Sequence, residues 1–355
     1  MALTSDASLD TDVKRRVLVS ADSHGGAPPG ELEKVLARMQ RTDGKQVRIL
    51  ENGAKKNPEV HPEDRIREQE IDGVVAEVIY GSTGFTGDDL AAAVTSCQAT
   101  NDWSAEMYGP HLGRFAPSIS LPIPIEPYGG NPPAVKPEAE HIAAAAAELG
   151  RAAGLGLRPG LMPDTLDALP YNRPDWNPVW EAACELDVPL SFHVGIGHNP
   201  VQAHGPGGAI TTYTIVTSQI IGTLSHLTAG GVLETFPQLK VVLTECGSGW
   251  LAWAMHIMDE AYVKHAHWVK PKLPMPPSEY VKRQVQVTFQ DDLVGVANRH
   301  ITGLRCLMWG SDYPHHEGTW PNSQEAVVRQ FAGVPEDEVD QICRRNAIET
   351  FKFTV

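Results

Sequence analysis

Short apolar runs rich in Val, Ile, Leu and Phe alternate along this chain with longer stretches patterned for helices. The runs predict strands at 17–23, 74–80, 114–121, 152–158, 188–194, 240–245, 285–290 and 304–310. Helices are predicted between them at 62–71, 88–108, 137–150, 175–186, 213–236, 250–264 and 292–300, with a helical tail at 323–331 and 335–351. Pro62 and Pro137 stand where a first-turn proline is tolerated, and the run Ala143 to Ala147 has strong helix propensity. Strands alternating with helices signal parallel βα units, and eight such units close a barrel. The expected fold is therefore α/β: a distorted (β/α)8 TIM barrel with an insertion after strand one and a C-terminal helical tail.

Two segments do not fit the simple unit. Residues 25–60 are charged and broken by Gly and Pro, and residues 196–212 are rich in Gly, Pro and His. Both follow strand C-terminal ends, where barrel enzymes place functional loops. The first is a candidate lid; ordinary surface insertion is the alternative reading for both. Residues 1–16 are polar and read as a disordered lead, leaving 17–355 as one barrel domain.

Composition narrows the partners. The net charge is −15, and no Lys/Arg cluster stands out, which argues against nucleic acid and anionic membranes. Five cysteines with no CxxC pair suggest neither a disulfide framework nor a thiolate zinc site. No apolar run is long enough to span a bilayer, and a cytoplasmic location is expected.

Candidate chemistry lies at the strand ends. Asp22 and His24 are two residues apart, so in an extended strand they share a face. Two further apolar runs end in a ligand type followed by a Gly or Pro break: one in His193, the other in Asp312. In a parallel barrel all strand C-termini meet at one rim, and strands one and eight are neighbours. Two imidazoles and two carboxylates at one rim form an N/O set suited to one divalent ion, zinc or manganese.

From Ala21-Asp22-Ser23-His24 to Asn346-Ala347 the sequence resembles the metal-dependent amidohydrolases, in particular amidohydrolase family 2, the branch typified by aminocarboxymuconate semialdehyde decarboxylase. The most specific matching parts are Ser191-Phe192-His193-Val194-Gly195, the Phe236-Pro237-Gln238-Leu239-Lys240 approach to strand six, and Gly310-Ser311-Asp312-Tyr313-Pro314-His315, continued by Glu317-Gly318-Thr319-Trp320-Pro321. The resemblance implies that Asp22, His24, His193 and Asp312 ligate one divalent ion. Asp22 replaces the first His of the familiar His-x-His pair, which adds negative charge and favours a harder ion such as manganese. Where many relatives carry a His at the end of strand six, this chain has Glu245. Its roles stay open between an acid/base group, a partner that orients a ligand His, a substrate contact, and a cap for the helix beginning near Ser248.

Asp312, Glu245 and His315 are the expected catalytic residues. Arg158, placed at the end of predicted strand four, is expected either to fork a substrate carboxylate or to make a structural ion pair. Tyr80, ending strand two, is expected to line the pocket. His198, His204 and His226 are read as carrying no role. Trp250, Trp253, His256, Ile257 and Tyr262 fall at helical spacing and suggest core or subunit packing, making a homodimer the expected assembly. No P-loop, dinucleotide fingerprint or serine-hydrolase elbow is present.

The first reading is hydrolysis of a small organic substrate (an amide, ester or activated C–C bond) by metal-activated water, because Glu245 departs from the decarboxylase-like His. Non-oxidative decarboxylation of an aromatic or unsaturated acid stands second, and hydration or another lyase reaction third. A metal-free binding or scaffold barrel is the competitor from outside enzymology.

Overall fold

The computed structural model describes residues 15–27, 30–31, 34, 61–81, 83–85, 89–125, 135–197, 203–216 and 218–355. Most of the expected lead at 1–16 and of the insertion at 25–60 lies outside the described residues, as does His198.

Eight short parallel strands form the frame: β1 (Leu18–Ser20), β2 (Val74–Ile79), β3 (Phe115–Pro117), β4 (Gly160–Pro163), β5 (Leu190–His193), β6 (Val241–Thr244), β7 (Val285–Phe289) and β8 (Leu307–Trp309). They pair in the order β1-β2-β3 and β4-β5-β6-β7-β8. Two seams join the halves. At one, Ile119 bridges Gly160, with Leu161 N–H donating to Ile119 O at 3.0 Å. At the other, Ser23 bridges Tyr313, and Ala21 N–H donates to Trp309 O at 3.0 Å. The ring is thereby closed as the sequence predicts.

Side chains alternate across each strand and sort into two cores. Val19, Ala21, Ala76, Val78, Ala116, Leu161, Val242 and Met308 pack in one cluster with Phe351 and Phe353 of the tail. The tail thus plugs the end of the barrel where the strands begin. A larger cluster, containing Trp176, Trp180, Phe192, Leu243 and Phe289, lies between the strands and the helices.

One strand is displaced from its predicted position. Residues 152–158 do not form strand four, because the alanine-rich helix α3 (Ala139–Gly154) runs on through Ala152 and Ala153. The strand begins only at Gly160, where an added Cβ would lie 2.7 Å from Leu190 and 2.8 Å from Leu149. Of the other helices, α1 (Pro62–Asp72), α2 (Leu90–Tyr108) and α4 (Asn177–Leu186) match their predicted spans closely. The helix predicted at 213–236 is described over α5 (Gly208–Val216) and α6 (Ser218–Ala229), with residue 217 between them outside the described residues, and is broken before α7 (Val232–Thr235). The break before α7 falls at Gly231, whose φ of 83° is left-handed. Helix α8 (Leu251–Lys264) buries Leu251, Ala254 and Met255 and leaves Trp253 exposed. No helix among the described residues is long and apolar enough to cross a membrane.

Candidate metal centre

The rim where β1 and β8 meet is built for close approach. An added Cβ on Gly310 would lie 2.5 Å from Asp22 Cβ and 2.9 Å from Asp22 N, so only glycine lets the two chain segments touch here. Beyond it they exchange backbone hydrogen bonds: Asp312 N–H to Asp22 O at 2.9 Å and His24 N–H to Tyr313 O at 2.6 Å. Ser311 N–H donates to Ser20 Oγ at 2.8 Å, and Ser20 Oγ–H donates to Asp22 O at 2.6 Å.

Four side chains from distant parts of the sequence converge on this rim. His24 Nε2 lies 3.7 Å from Asp22 Oδ1 and 3.0 Å from Asp312 Oδ1, and His193 Nε2 lies 3.8 Å from Asp22 Oδ1. Glu245 joins them, with Oε2 at 3.5 Å from His193 Nε2 and 3.8 Å from His24 Nε2. His315 closes the group, its ring 3.9 Å from that of His24 and its Nδ1 2.9 Å from Asp312 Oδ1. His316, next in sequence, is exposed.

Asp22 Oδ1, His24 Nε2, His193 Nε2 and Asp312 Oδ2 are all buried, and among the described residues none has a hydrogen-bond partner. A buried polar atom without a partner costs about 1–3 kcal/mol, so four gathered at one rim are not a resting arrangement of a polar core. They fall in two overlapping groups that share His24, one of Asp22, His24 and His193 and one of His24, Glu245, Asp312 and His315, and their imidazole nitrogens and carboxylate oxygens are donors a divalent cation would satisfy. The residues present therefore fit such an ion.

Backbone conformation supports the same reading. Glu245 (φ 58°), directly after β6, and Asp312 (φ 54°), three residues beyond β8, are both left-handed. Non-glycine residues in this region cost on the order of 1–3 kcal/mol and gather at functional sites. The other two such residues among the described ones, Asp187 and Lys352, merely end helices, where this conformation is ordinary.

Electrostatics follow from burial. Burial and the Asp312 charge push Asp22 and Glu245 well above the usual carboxylate range. Burial and the neighbouring His24 lower His193 to about 3, and burial also lowers His24. Burial would raise Asp312, but His24 and His315 outweigh it and hold the carboxyl at about 2. Burial opposes protonation of His315, yet its hydrogen bond to Asp312 raises it.

Orientation comes from a ring of partners. His193 Nδ1 lies 2.9 Å from Val194 O, which turns Nε2 inward. Thr288 Oγ1–H donates to Asp22 Oδ2 at 3.1 Å while accepting Glu245 N–H at 2.8 Å. Thr288 escaped the sequence reading; its only signal is one hydroxyl in the otherwise apolar end of strand seven. The loop carrying Glu245 is pinned by Asp292, whose carboxylate accepts from Ser248 N, Gly249 N and Gly295 N at 2.6, 2.7 and 2.8 Å. Asp292, not Glu245, therefore serves the start of α8. Cys246 is buried, its thiol 3.3 Å from Leu243 O.

Of the two expected substrate contacts, one falls elsewhere and the other is buried. Arg158 precedes β4 instead of ending it, because α3 displaces the strand, and so lies at the opposite end of the barrel, within electrostatic reach of Asp187. Tyr80 is at the rim but only 1 % exposed, and its hydroxyl lies 3.0 Å from Ser191 Oγ. Its ring packs edge-on against His193 at 4.9 Å, supporting that residue from beneath and offering substrate no surface. His226 is on α6, and His204 is exposed.

Comparison with known proteins agrees with this architecture. The 5-carboxyvanillate decarboxylase of Sphingomonas paucimobilis is similar at 19% identity and a TM-score of 0.67, covering 95% of this chain and 99% of that one. A 5-carboxyvanillate decarboxylase of Novosphingobium aromaticivorans, solved with manganese and 4-hydroxy-3-methoxy-5-nitrobenzoic acid, is similar at 15% identity and a TM-score of 0.69, covering 95% and 96%. A putative amidohydrolase of Staphylococcus aureus is similar at 16% identity and a TM-score of 0.66, covering 94% and 99%. At these identities the likeness establishes the fold. No curated protein matches the chain. The sequence model of the amidohydrolase family matches residues 67–353, a span that includes His193, Glu245, Asp312 and His315 and begins after His24. The chain is an enzyme of the amidohydrolase family.

Proposed function

We propose that this enzyme holds one divalent metal ion between Asp22, His24, His193 and Asp312 and hydrolyses a small organic substrate at that ion. The observation that carries the reading is the set of four buried donor atoms, one from each of these residues, gathered at one rim of the barrel and left without hydrogen-bond partners. A divalent ion bound there supplies a lowered pKa for water and polarisation of a substrate carbonyl or carboxylate. Asp312 would then have a divided role: Oδ2 would be turned to the ion, and Oδ1, 2.9 Å from His315 Nδ1, would take up the proton released by water. His315, raised by that same carboxylate, relays the proton outward. Glu245, whose carboxyl is raised well above its usual range, is the proton donor for the leaving group.

A second reading, non-oxidative decarboxylation, is favoured by a separate observation. Solved structures similar in fold include carboxyvanillate and dihydroxybenzoate decarboxylases, and the Polaromonas enzyme was solved with bound manganese. Under this reading Glu245 delivers its proton to carbon. Manganese is the favoured ion under both, since two carboxylates harden the donor set.

Metal analysis of protein purified without added metal comes first, with Asp312→Asn and His193→Ala as controls. About one ion per chain in the parent and loss in both variants is expected; a metal-free parent that takes up none on addition favours the scaffold reading. A screen of carboxylate, ester and amide compounds by product mass then separates the chemistries. A product that has lost CO2 and gained no water would sink hydrolysis.

A further inference from the structure

A fully buried arginine stands directly behind the metal centre. Arg65 is on α1, outside the barrel wall, and is 0% exposed. Its Nη1 donates to His24 O at 2.9 Å and its Nη2 to Ser23 Oγ at 2.9 Å. Its Nε pairs with the Glu77 carboxylate on β2, and its guanidinium carbon lies 5.1 Å from the centre of the Tyr313 ring. The guanidinium plane therefore touches both segments that carry ligands: the residues joining Asp22 to His24, and the residue following Asp312.

The approach is permitted by the residue after His24. A Cβ on Gly25 would lie 3.0 Å from Arg65 Nη1 and 3.0 Å from Ile79 Cγ2, so a larger residue would push the guanidinium away from the His24 carbonyl. Burying this cation and the Glu77 carboxylate carries a large desolvation cost, and a pair of hydrophobic residues would stabilise the fold as well or better. What they would not provide is a rigid fork holding a carbonyl and a hydroxyl on one strand end while stacking on an aromatic ring at the next.

We infer that Arg65 is a positioning residue for the metal centre: it fixes His24 and Asp312 relative to each other through the His24 carbonyl, the Ser23 hydroxyl and the Tyr313 ring. This rests on the proposed metal site. Loss of a group that orients a metal ligand typically weakens metal affinity by about 10–100-fold.

The test is titration of metal-stripped protein with Mn2+, followed by calorimetry, for the parent, Arg65→Lys, Glu77→Gln and Asp72→Asn. Lysine keeps the charge and loses the fork. Asp72 is on the same helix, where its carboxylate accepts Ser323 N–H at 2.8 Å, so its substitution loosens α1 without touching the rim. We expect Arg65→Lys to bind Mn2+ at least about tenfold more weakly than the parent, Glu77→Gln to weaken it in the same direction, and Asp72→Asn to leave it unchanged at matched thermal stability. Parent-like affinity in Arg65→Lys, or equal weakening in Asp72→Asn, overturns the positioning role. If Arg65→Lys does not fold, Glu77→Gln decides, and unchanged affinity there overturns it. A parent that binds no Mn2+ would instead overturn the metal reading itself.

Discussion

Asp22 and Glu245, 223 positions apart in sequence (245 − 22), are tied together by the hydroxyl of Thr288, which donates to the Asp22 carboxylate at 3.1 Å and accepts the Glu245 N–H at 2.8 Å. One oxygen of Asp22 is thereby occupied and the other is left facing His24 and His193. Thr288→Val keeps the shape and removes both bonds. Affinity for Mn2+ is expected to fall by about 10–100-fold with the fold intact, read by titration of the stripped variant. Affinity equal to the parent's would mean that the carboxylate needs no such restraint.

Metal removal gives a pH signature with two limbs. His24 and His193 are lowered in the folded state, so their contribution is present above the ordinary imidazole value of about 6.5 and is lost as pH falls below it. Asp22, Glu245 and His315 are raised, so theirs is complete below the unfolded values and is lost as pH rises through the folded ones. Thermal unfolding of the stripped protein across a pH series should therefore show a maximum near the imidazole range and a decline on either side. Saturating Mn2+ should lessen the alkaline decline, because ligation takes the deprotonated Asp22 carboxylate. A decline of equal steepness with and without the ion would count against the assignment.

Glu245→Gln separates a ligand from an acid. The amide keeps the side chain's size and cannot give up a proton in the same way. Turnover of whichever substrate the screen identifies is expected to fall by about 100-fold or more, with the metal content still near one per chain. Loss of the metal in this variant would instead make Glu245 a fifth ligand.

Arg158→Ala tests the relocation of that residue. Since Arg158 lies at the opposite end of the barrel, the variant should match the parent in Mn2+ affinity and KM and differ only in thermal stability. A raised KM would return Arg158 to the substrate.

How much of this was legible in the sequence depended on which forces set each feature. Strand ends that coincide with an apolar run and a Gly or Pro break, as at His193 and Asp312, were readable because burial alone specifies them. Strand four was misplaced because Ala152 and Ala153 extend a helix on propensity while the strand is admitted only by the steric demand at Gly160, which no local pattern encodes. Arg158 was misassigned for the same reason. Thr288, Arg65 and Asp292 act through partners on other strands and helices, and nothing within their own windows of sequence marks them. Tyr80 was placed at the correct strand end, but its burial depends on how Ser191 and His193 fill the barrel interior.

The contact between Gly310 and Asp22 has a consequence for the order in which the site comes into being. The ligands nearest one another are donated by the first strand and the last, so nearly the whole chain must be in place before they meet. Contacts of such long separation carry a loop-closure cost that earlier strands must already have met. Under the proposed metal reading, tight uptake of a cation is then a late event in folding, and a nascent chain lacking its eighth strand would have no competent site. Metal occupancy would thus report on completion of the ring and distinguish finished molecules from partly folded ones.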